Sequence, residues 1–369
     1  MKRRSSGLLR ALTAWTTKDW LEAGGLLGFI ALLHVAGFGV LLLVVEPHHY
    51  ALGTQVFGVG LGVTAYTFGL RHGFDADHIA AIDNTTRKLR DDGMRPKSVG
   101  FWFAMGHSTV VFVLAALVAF GAHVASTLMN DGSGAHRALG IIGTLSSGSF
   151  LYLIGILNLF ALVGIWRVWQ GLRQGHFDES QLELHLQNRG LLARWLGRLT
   201  RAIRRPWQMY PVGILFGVGF DTASEVALLV LAGTGATSGV PWYAILVLPL
   251  LFAAGMSLLD CLDGLFMGIA YEWAFHKPVR KVYYNLAITA LSVTVALLIG
   301  SIEIIGVLHD SAGWVNPVTD WITGLDLDYV GFVIVGLFVV VWAAAVTYWN
   351  VAKVEESWGE IGRTRQAED

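Results

Sequence analysis

The sequence predicts an all-α integral membrane protein with eight transmembrane helices. Of its 369 residues, 54% are hydrophobic and only 14% are charged. The mean hydropathy is +0.56, and apolar runs of about 20 residues recur along the chain. Only helices and closed barrels satisfy their backbone hydrogen bonds in lipid, and runs this long and continuous indicate helices. The composition therefore excludes an ordinary soluble domain.

Eight stretches have the length and composition of a membrane span. They lie near residues 24–45, 52–82, 99–121, 138–165, 210–234, 242–270, 285–308 and 328–350. We take residues 1–369 as a single polytopic domain. The basic segment 166–209 is its longest polar stretch. Its mixture of Arg, Leu and Trp is compatible with a short amphipathic helix on the inner leaflet, or with a linker that only fixes topology.

The distribution of Lys and Arg predicts the orientation. Of 26 basic residues, 24 lie before the first span, after the last, or in the connections after spans two, four and six. The exceptions are Arg71, inside a span, and Arg137, on an opposite connection. Cytoplasmic connections carry the excess of positive charge. We therefore expect a multi-pass protein of the plasma (inner) membrane with both termini in the cytoplasm.

The polar residues at the end of the second span point to a metal ion. Arg71, His72, Asp75, Asp77 and His78 follow a run of 19 residues, Leu52 to Leu70, that has no charge. One ionisable side chain at the bilayer centre costs about 2.5 kcal/mol or more. Imidazole and carboxylate groups without thiolates suit a divalent transition metal. The chain has one cysteine, which excludes a thiolate-rich site.

A straight helix cannot direct His72, Asp77 and His78 at one ion. At 100° per residue, Asp77 falls roughly 140° from His72. Two explanations stay open. Gly73 permits a local break that gathers these groups, as in the discontinuous helices of transporters, or the groups divide into direct ligands and supporting partners.

Further polar groups interrupt other spans. They are Asp83 in span two, His107 and Ser108 in span three, Asp221 and Glu225 in span five, Asp260 and Asp263 in span six, and Glu303 in span seven. Carboxylates far outnumber the single Arg71 within the spans, so the interior favours a cation. For Glu303 in particular, an ordinary hydrogen bond between helices is an equal alternative.

A short internal repeat accompanies these groups. Residues 73–75 and 219–221 both read Gly-Phe-Asp, and residues 103–108 resemble residues 252–257. The offsets are 146 and 149 residues, and each match joins helices three spans apart. Because three is an odd number of spans, the two helices of each match cross the membrane in opposite directions. Spans 2–4 and 5–7 are therefore a possible inverted-topology repeat around a midplane site.

These motifs resemble those of the nickel/cobalt transporter (NiCoT) permeases. The hallmark of that family, a His followed after four residues by Asp-His, corresponds to His72, Asp77 and His78. The match extends from Arg71 to Lys88, and counterparts of three further signatures lie at residues 106–111, 219–225 and 255–264. The resemblance implies uptake of Ni²⁺ and/or Co²⁺. It assigns the metal to His72, Asp75, Asp77, His78 and His107, with Arg71, Asp83, Ser108, Asp221, Glu225, Asp260, Asp263 and Glu303 supporting the site or the pathway.

We therefore expect a secondary permease and not an enzyme, with the metal ion as substrate and no cofactor. An efflux permease is the alternative, although the long His-rich loops typical of such exporters are absent. An intramembrane metalloenzyme is less favoured because the His-Glu-x-x-His pattern is missing. The sequence has no Walker A motif, so any ATP would have to come from a partner. A secondary permease implies no ATPase partner, and we expect no nucleic-acid partner. Proton exchange through Glu225 or Glu303 stays open.

Overall fold

The computed structural model describes residues 15–52, 55–120, 134–173, 203–218, 223–275, 278–325 and 330–351. Helices make up most of these residues. Five of the described helices are long and apolar enough to cross a membrane: Thr17–His48, Val99–Phe120, Gly140–Arg167, Trp242–Ala270 and Leu286–Ala312. The chain therefore has the all-α membrane architecture that its composition predicts.

The first helix, α1 (Thr17–Val40), begins at a capping box between Thr16 and Asp19. It continues through a wider π turn (Leu41–Val45) and a 3₁₀ turn (Glu46–His48). A two-stranded antiparallel hairpin follows, formed by β1 (Tyr50–Leu52) and β2 (Gln55–Phe57). The predicted second span includes Leu52 and all of β2, so its helix starts later than the hydropathy indicates.

The second predicted span is a broken helix, and the fifth contains two described helices. The second consists of α2 (Val59–His72) and α3 (Ala76–Asp91), with Asp75 in an extended conformation at the start of α3. The fifth consists of α6 (Met209–Gly217) and α7 (Ala223–Thr237). Residues 219–222 between them lie outside the described part. Hydropathy does not reveal such breaks, because it averages over a window longer than the break.

The remaining helices lie in or next to the other predicted spans, and the sixth span contains two of them, separated at Leu246. They are α4 (Val99–Phe120), α5 (Gly134–Arg173), α8 (Trp242–Ile245), α9 (Val247–Phe275), α10 (Pro278–Ala312), α11 (Pro317–Thr323) and α12 (Val330–Val351), with a 3₁₀ turn at Pro206–Gln208 before α6. The predicted amphipathic helix would fall mainly within residues 174–202, which lie outside the described residues.

Helix α9 lies at the centre of the bundle. It packs against α1, α2, α3 and α4. Of the most apolar 18-residue stretch in its span, 72% is buried within the protein. The corresponding values for the other four long spans are between 22% and 44%. Those helices turn apolar side chains such as Leu43 and Leu298 outward, as a lipid-facing surface requires. Polar groups carried by α9 are therefore shielded from lipid.

Glycines allow two pairs of helices to approach so closely that their backbones are in contact. A Cβ atom at Gly69 of α2 would collide with the Phe252 carbonyl of α9, and one at Gly213 of α6 would collide with the Phe103 carbonyl of α4. Small residues at such crossings bring backbones together in membranes, where packing drives helix association. These two contacts hold α2 against α9 and α6 against α4.

Glycines on the facing helices complete each crossing. Gly255 of α9 lies against the Tyr66 carbonyl and the Leu70 amide of α2, and Gly106 of α4 lies against the Tyr210 carbonyl and the Ile214 amide of α6. The two crossings therefore have the same pattern of contacts.

A third crossing joins α5 to α10. A Cβ atom at Gly148 would lie 3.3 Å from the Gly300 carbonyl oxygen, and one at Gly300 would lie 3.1 Å from the Gly148 carbonyl oxygen. Tyr152 and Ser301 form a hydrogen bond of 2.6 Å between their hydroxyl groups beside this contact. The α5–α10 pair is thus closely packed at its middle.

Candidate metal site

Three histidines converge near the middle of the bundle. His72 is the last residue of α2, His78 lies in the first turn of α3, and His107 lies within α4. All three are buried, and each offers one ligand nitrogen within 4.8 Å of the other two. The Nε2 atoms of His72 and His107 are 3.0 Å apart. Such a cluster of imidazoles can share one divalent ion.

Carboxylates orient two of these imidazoles. The Nδ1 atom of His78 is 3.2 Å from both carboxylate oxygens of Asp260. The Nδ1 atom of His72 is 2.6 Å from Oδ2 of Asp75 and 3.3 Å from the hydroxyl of Ser224. In metal sites such contacts fix the ring and direct its other nitrogen at the ion. Consistent with this, the buried Nε2 of His78 has no hydrogen-bond partner among the described residues.

Glu225 supplies an oxygen next to the histidines. Its Oε1 atom is 2.5 Å from Nε2 of His107 and 3.7 Å from Nε2 of His72. Its side chain is 2% exposed. A carboxylate between two imidazoles adds a negative charge to the site, which suits a doubly charged ion. Three imidazole nitrogens and this oxygen form a donor set for a metal of intermediate softness.

Aromatic rings close the apolar side of the cluster. The ring of Phe103 meets that of His78 at 90° with centroids 4.7 Å apart, and Phe252 lies 5.5 Å from His72. These rings exclude water from one side, so ionic interactions within the site are weakly screened.

The break after His72 makes this convergence possible, because it places His72 and His78 on different helices. Gly73 has an ordinary helical φ of −63°. A Cβ atom there would meet the Leu259 side chain and the Met256 carbonyl of α9. One of the two explanations from the sequence was that Gly73 permits a local break. The structure has a break at this position and indicates that the small size of Gly73 lets it pack against α9.

Asp77 and Arg71 lie outside the three-histidine group. Both line a cavity of about 470 Å³ together with Asp75, Ser224, Glu303 and residues of α5, α10 and α11. Asp310, which follows the predicted seventh span, also lines this cavity. Four carboxylates therefore face the cavity beside one guanidinium, which favours cations within it.

The other candidate residues surround the site at greater distance. Asp83 and Ser108 are buried on α3 and α4, and Asp263 is partly buried on α9. Asp221 lies outside the described residues. The sequence reasoning did not identify a buried network of Asn84, Arg87, Asn158, Thr289 and Ser292 on the other side of the histidines. The signal for it was Asn158, an amide in the apolar fourth span.

The comparisons with known proteins agree with these features. A family described as high-affinity nickel-transport protein (NicO) matches residues 58–348. The chain is 56% identical to the nickel transporter NicT of Mycobacterium tuberculosis over 97% of this chain and 95% of the relative. It is 43% identical to the nickel transporter NixA of Staphylococcus aureus, over 90% and 95%. It is 39% identical to the cobalt transport protein NhlF of Rhodococcus rhodochrous, over 91% and 94%. No solved structure matches the chain.

Proposed function

Because this chain belongs to the NicO family of high-affinity nickel-transport proteins, we propose that it is a secondary permease that imports Ni²⁺ and/or Co²⁺ across the plasma membrane. Its family and relatives are transporters, so the chain is a transporter and not an enzyme. The observation that carries the proposal is the convergence of His72, His78 and His107 beside an acidic cavity.

In this proposal the ion is held by the three histidines and Glu225. Asp75 and Asp260 orient the rings of His72 and His78, since each contacts an Nδ1 atom. Asp77 takes part earlier, as a cavity-lining carboxylate that attracts the ion toward the histidines. This assignment divides the predicted ligands into direct ligands and supporting groups.

The acidic cavity is the proposed entrance. Asp77, Glu303 and Asp310 line it with carboxylates, which raise the local concentration of divalent cations. An inward potential of 100 mV contributes about 4.6 kcal/mol for a doubly charged ion. This driving force favours accumulation without ATP.

The proposed topology has eight spans, with both termini in the cytoplasm. It is supported by the bias of Lys and Arg and by helices that overlap each predicted stretch. The cavity then opens outward, because α11 and the final turn of α10 lie on the extracellular side.

The reciprocal glycine contacts support an inverted repeat of spans 2–4 and 5–7. The contact of Gly69 with Phe252 corresponds to that of Gly213 with Phe103, at offsets of 144 and 149 residues. The first offset is two residues shorter than the 146 of the Gly-Phe-Asp match, so the contacts support the repeat but do not align that match. The contact of Gly255 with Tyr66 corresponds, at the same offsets, to that of Gly106 with Tyr210.

The remaining contacts fit the same relationship. Gly73 meets the Met256 carbonyl and Leu259, as Gly217 meets the His107 carbonyl and Val110. Gly148 and Gly300 contact each other's carbonyl groups, as expected for residues on a two-fold axis. Repeats of this kind underlie alternating access in many transporters.

Uptake of radioactive nickel by cells tests the function. We expect cells that express the chain to accumulate nickel, and His72→Ala or His78→Ala to abolish accumulation at unchanged abundance in the membrane. His48→Ala is the matched control, because His48 is exposed and contacts the Val44 carbonyl. Cells that hold less nickel than the empty-vector control would indicate efflux and contradict the proposal. Competition with Co²⁺, Zn²⁺ and Mn²⁺ then gives the metal preference.

A further inference from the structure

We propose that Asn84, Arg87, Asn158, Thr289 and Ser292 form a closed inner gate, and that the metal ion leaves toward the cytoplasm when this network opens. The inference rests on the proposed function and topology. It assigns a role in transport to five residues outside the metal site.

The network joins three helices on the cytoplasmic side of the histidines. The Asn158 amide of α5 donates to Oδ1 of Asn84 on α3 at 2.7 Å. The Asn84 amide in turn donates to the Ser292 carbonyl of α10 at 3.3 Å. Arg87 donates to the Thr289 hydroxyl and, at 3.4 Å, to the Ser292 hydroxyl. All five residues are buried, with exposures between 0% and 3%.

The position of the network mirrors that of the outer cavity. Gly148 and Gly300 contact each other's carbonyl groups and are 152 residues apart. A two-fold axis between these glycines relates each residue of α5 to the residue of α10 that lies 152 positions later, and we call the two residues images of each other. It pairs the cavity residue Asp310 with Asn158, and the cavity residue Gly140 with Ser292. Two members of the network, Asn158 and Ser292, therefore lie at image positions of the outer cavity's lining, and the other three are hydrogen-bonded to them or beside them.

The two sides differ in accessibility. On the outer side, Thr144 and Glu303 line the cavity and are partly exposed. Their images on the inner side, Ala296 and Leu151, are fully buried. One side of the transporter is thus open while the equivalent side is closed. Alternating access requires this asymmetry, and a rocking motion of the repeats would reverse it.

A second cavity already lies next to the closed path. Its volume is about 270 Å³, and Lys88, Phe150, Ile154 and Ile203 are among its lining residues. Phe150 and Ile154 are the images of Ile302 and Gly306, which line the outer cavity. Separation of α5 from α10 and α3 would join this space to the histidines.

The polar character of the network suits a gate. Apolar side chains would seal the helices but would resist wetting when they separate. Buried hydrogen-bonding groups exchange their protein partners for water with little net change in free energy. Static helix packing would explain the hydrogen bonds, but not the position of Asn158 and Ser292 at the images of two cavity-lining residues.

Cysteine labelling tests the proposal in membrane vesicles. Cys261 is the chain's one cysteine, and Cys261→Ala gives a parent without thiols, whose nickel uptake is measured first. Thr144→Cys and Ala296→Cys are a matched pair at image positions. We expect a membrane-impermeant thiol reagent to modify Thr144→Cys from outside and to leave Ala296→Cys unmodified in the resting state.

Removing hydrogen bonds from the gate should change the accessibility of both the cytoplasmic and the outer side. Adding Asn158→Ala should raise the modification rate of Ala296→Cys from the cytoplasmic side about tenfold, and lower that of Thr144→Cys from outside by a similar factor. Ser292→Ala provides a second loosening variant if Asn158→Ala does not fold. Oxidation of the double variant Asn84→Cys/Asn158→Cys should arrest nickel uptake, and a reductant should restore it.

The outcomes separate the gate from the proposed function. Absence of nickel uptake by the unsubstituted chain would overturn the proposed function and the gate with it. Normal uptake, with Ala296→Cys unreactive in every variant and during nickel turnover, would overturn the gate alone. Increased labelling of Ala296→Cys without reduced labelling of Thr144→Cys would also overturn it, because this result indicates only local loosening.

Discussion

The Nδ1 atom of His78 lies 3.2 Å from both carboxylate oxygens of Asp260, and both side chains are fully buried. The two residues are 182 positions apart, on α3 and α9. Their contact fixes the imidazole so that its Nε2 atom is available to a metal ion. It also connects the central helix α9 to the candidate metal site, although α9 contributes no histidine to it.

Asp260→Asn should weaken nickel binding without unfolding the protein. The amide keeps the shape of the side chain but loses the charge that orients and polarises His78. Loss of such a supporting carboxylate reduces metal affinity by about 10- to 100-fold. Titration of the purified protein with Ni²⁺ measures this change. Asp92→Asn is the matched control, because Asp92 is exposed and pairs with Lys88. An Asp260→Asn variant that binds nickel with the parent's affinity would contradict the proposed role.

Glu225→Gln should impair binding more than Glu225→Asp does. The Gln variant removes the negative charge beside His107, whereas the Asp variant keeps the charge and shortens its reach. We expect Glu225→Gln to raise the dissociation constant for Ni²⁺ at least tenfold, with an intermediate value for Glu225→Asp. Calorimetric titration of both variants checks the order. Equal affinities for the two variants would show that the charge does not act on the ion.

Much of this architecture follows from the sequence because lipid imposes simple rules. Continuous apolar runs must form helices, and ionisable residues within them must have a purpose. These rules give the helical class and identify His72, His78 and His107 as candidates. The family motifs add Glu225 and Asp260 as supporting groups.

The pairing of these groups could not be predicted. Asp260 contacts His78, and Glu225 contacts His107, because α9 and α7 pack against α3 and α4 at particular angles. No local pattern encodes these angles. Asp77 illustrates the difficulty, since the hallmark motif groups it with the histidines whereas the structure places it in the lining of the cavity.

Gly69→Ala should destabilise the protein. The added methyl group would collide with the Phe252 carbonyl of α9, and backbone atoms cannot move aside as a side chain can. Overpacking of this kind costs about 1–3 kcal/mol. We expect the melting temperature in detergent to fall by several degrees. Gly60→Ala on the same helix is the control, because no atom lies within 4 Å of its added methyl group. If the two variants melt at the same temperature, the close helix contact is not important for stability.

Neutralising the cavity should slow nickel capture at low concentration. Glu303→Gln combined with Asp310→Asn removes two of the four carboxylates that line the cavity. Because these charges act by attracting the ion, we expect KM for uptake to rise several-fold with little change in the maximal rate. The difference from the parent should shrink as ionic strength increases, since salt screens exposed charges. Asp320→Asn removes an exposed carboxylate that is not among the cavity-lining residues, and it should leave KM unchanged. A fall in maximal rate at constant KM would instead assign Glu303 or Asp310 to a step after capture.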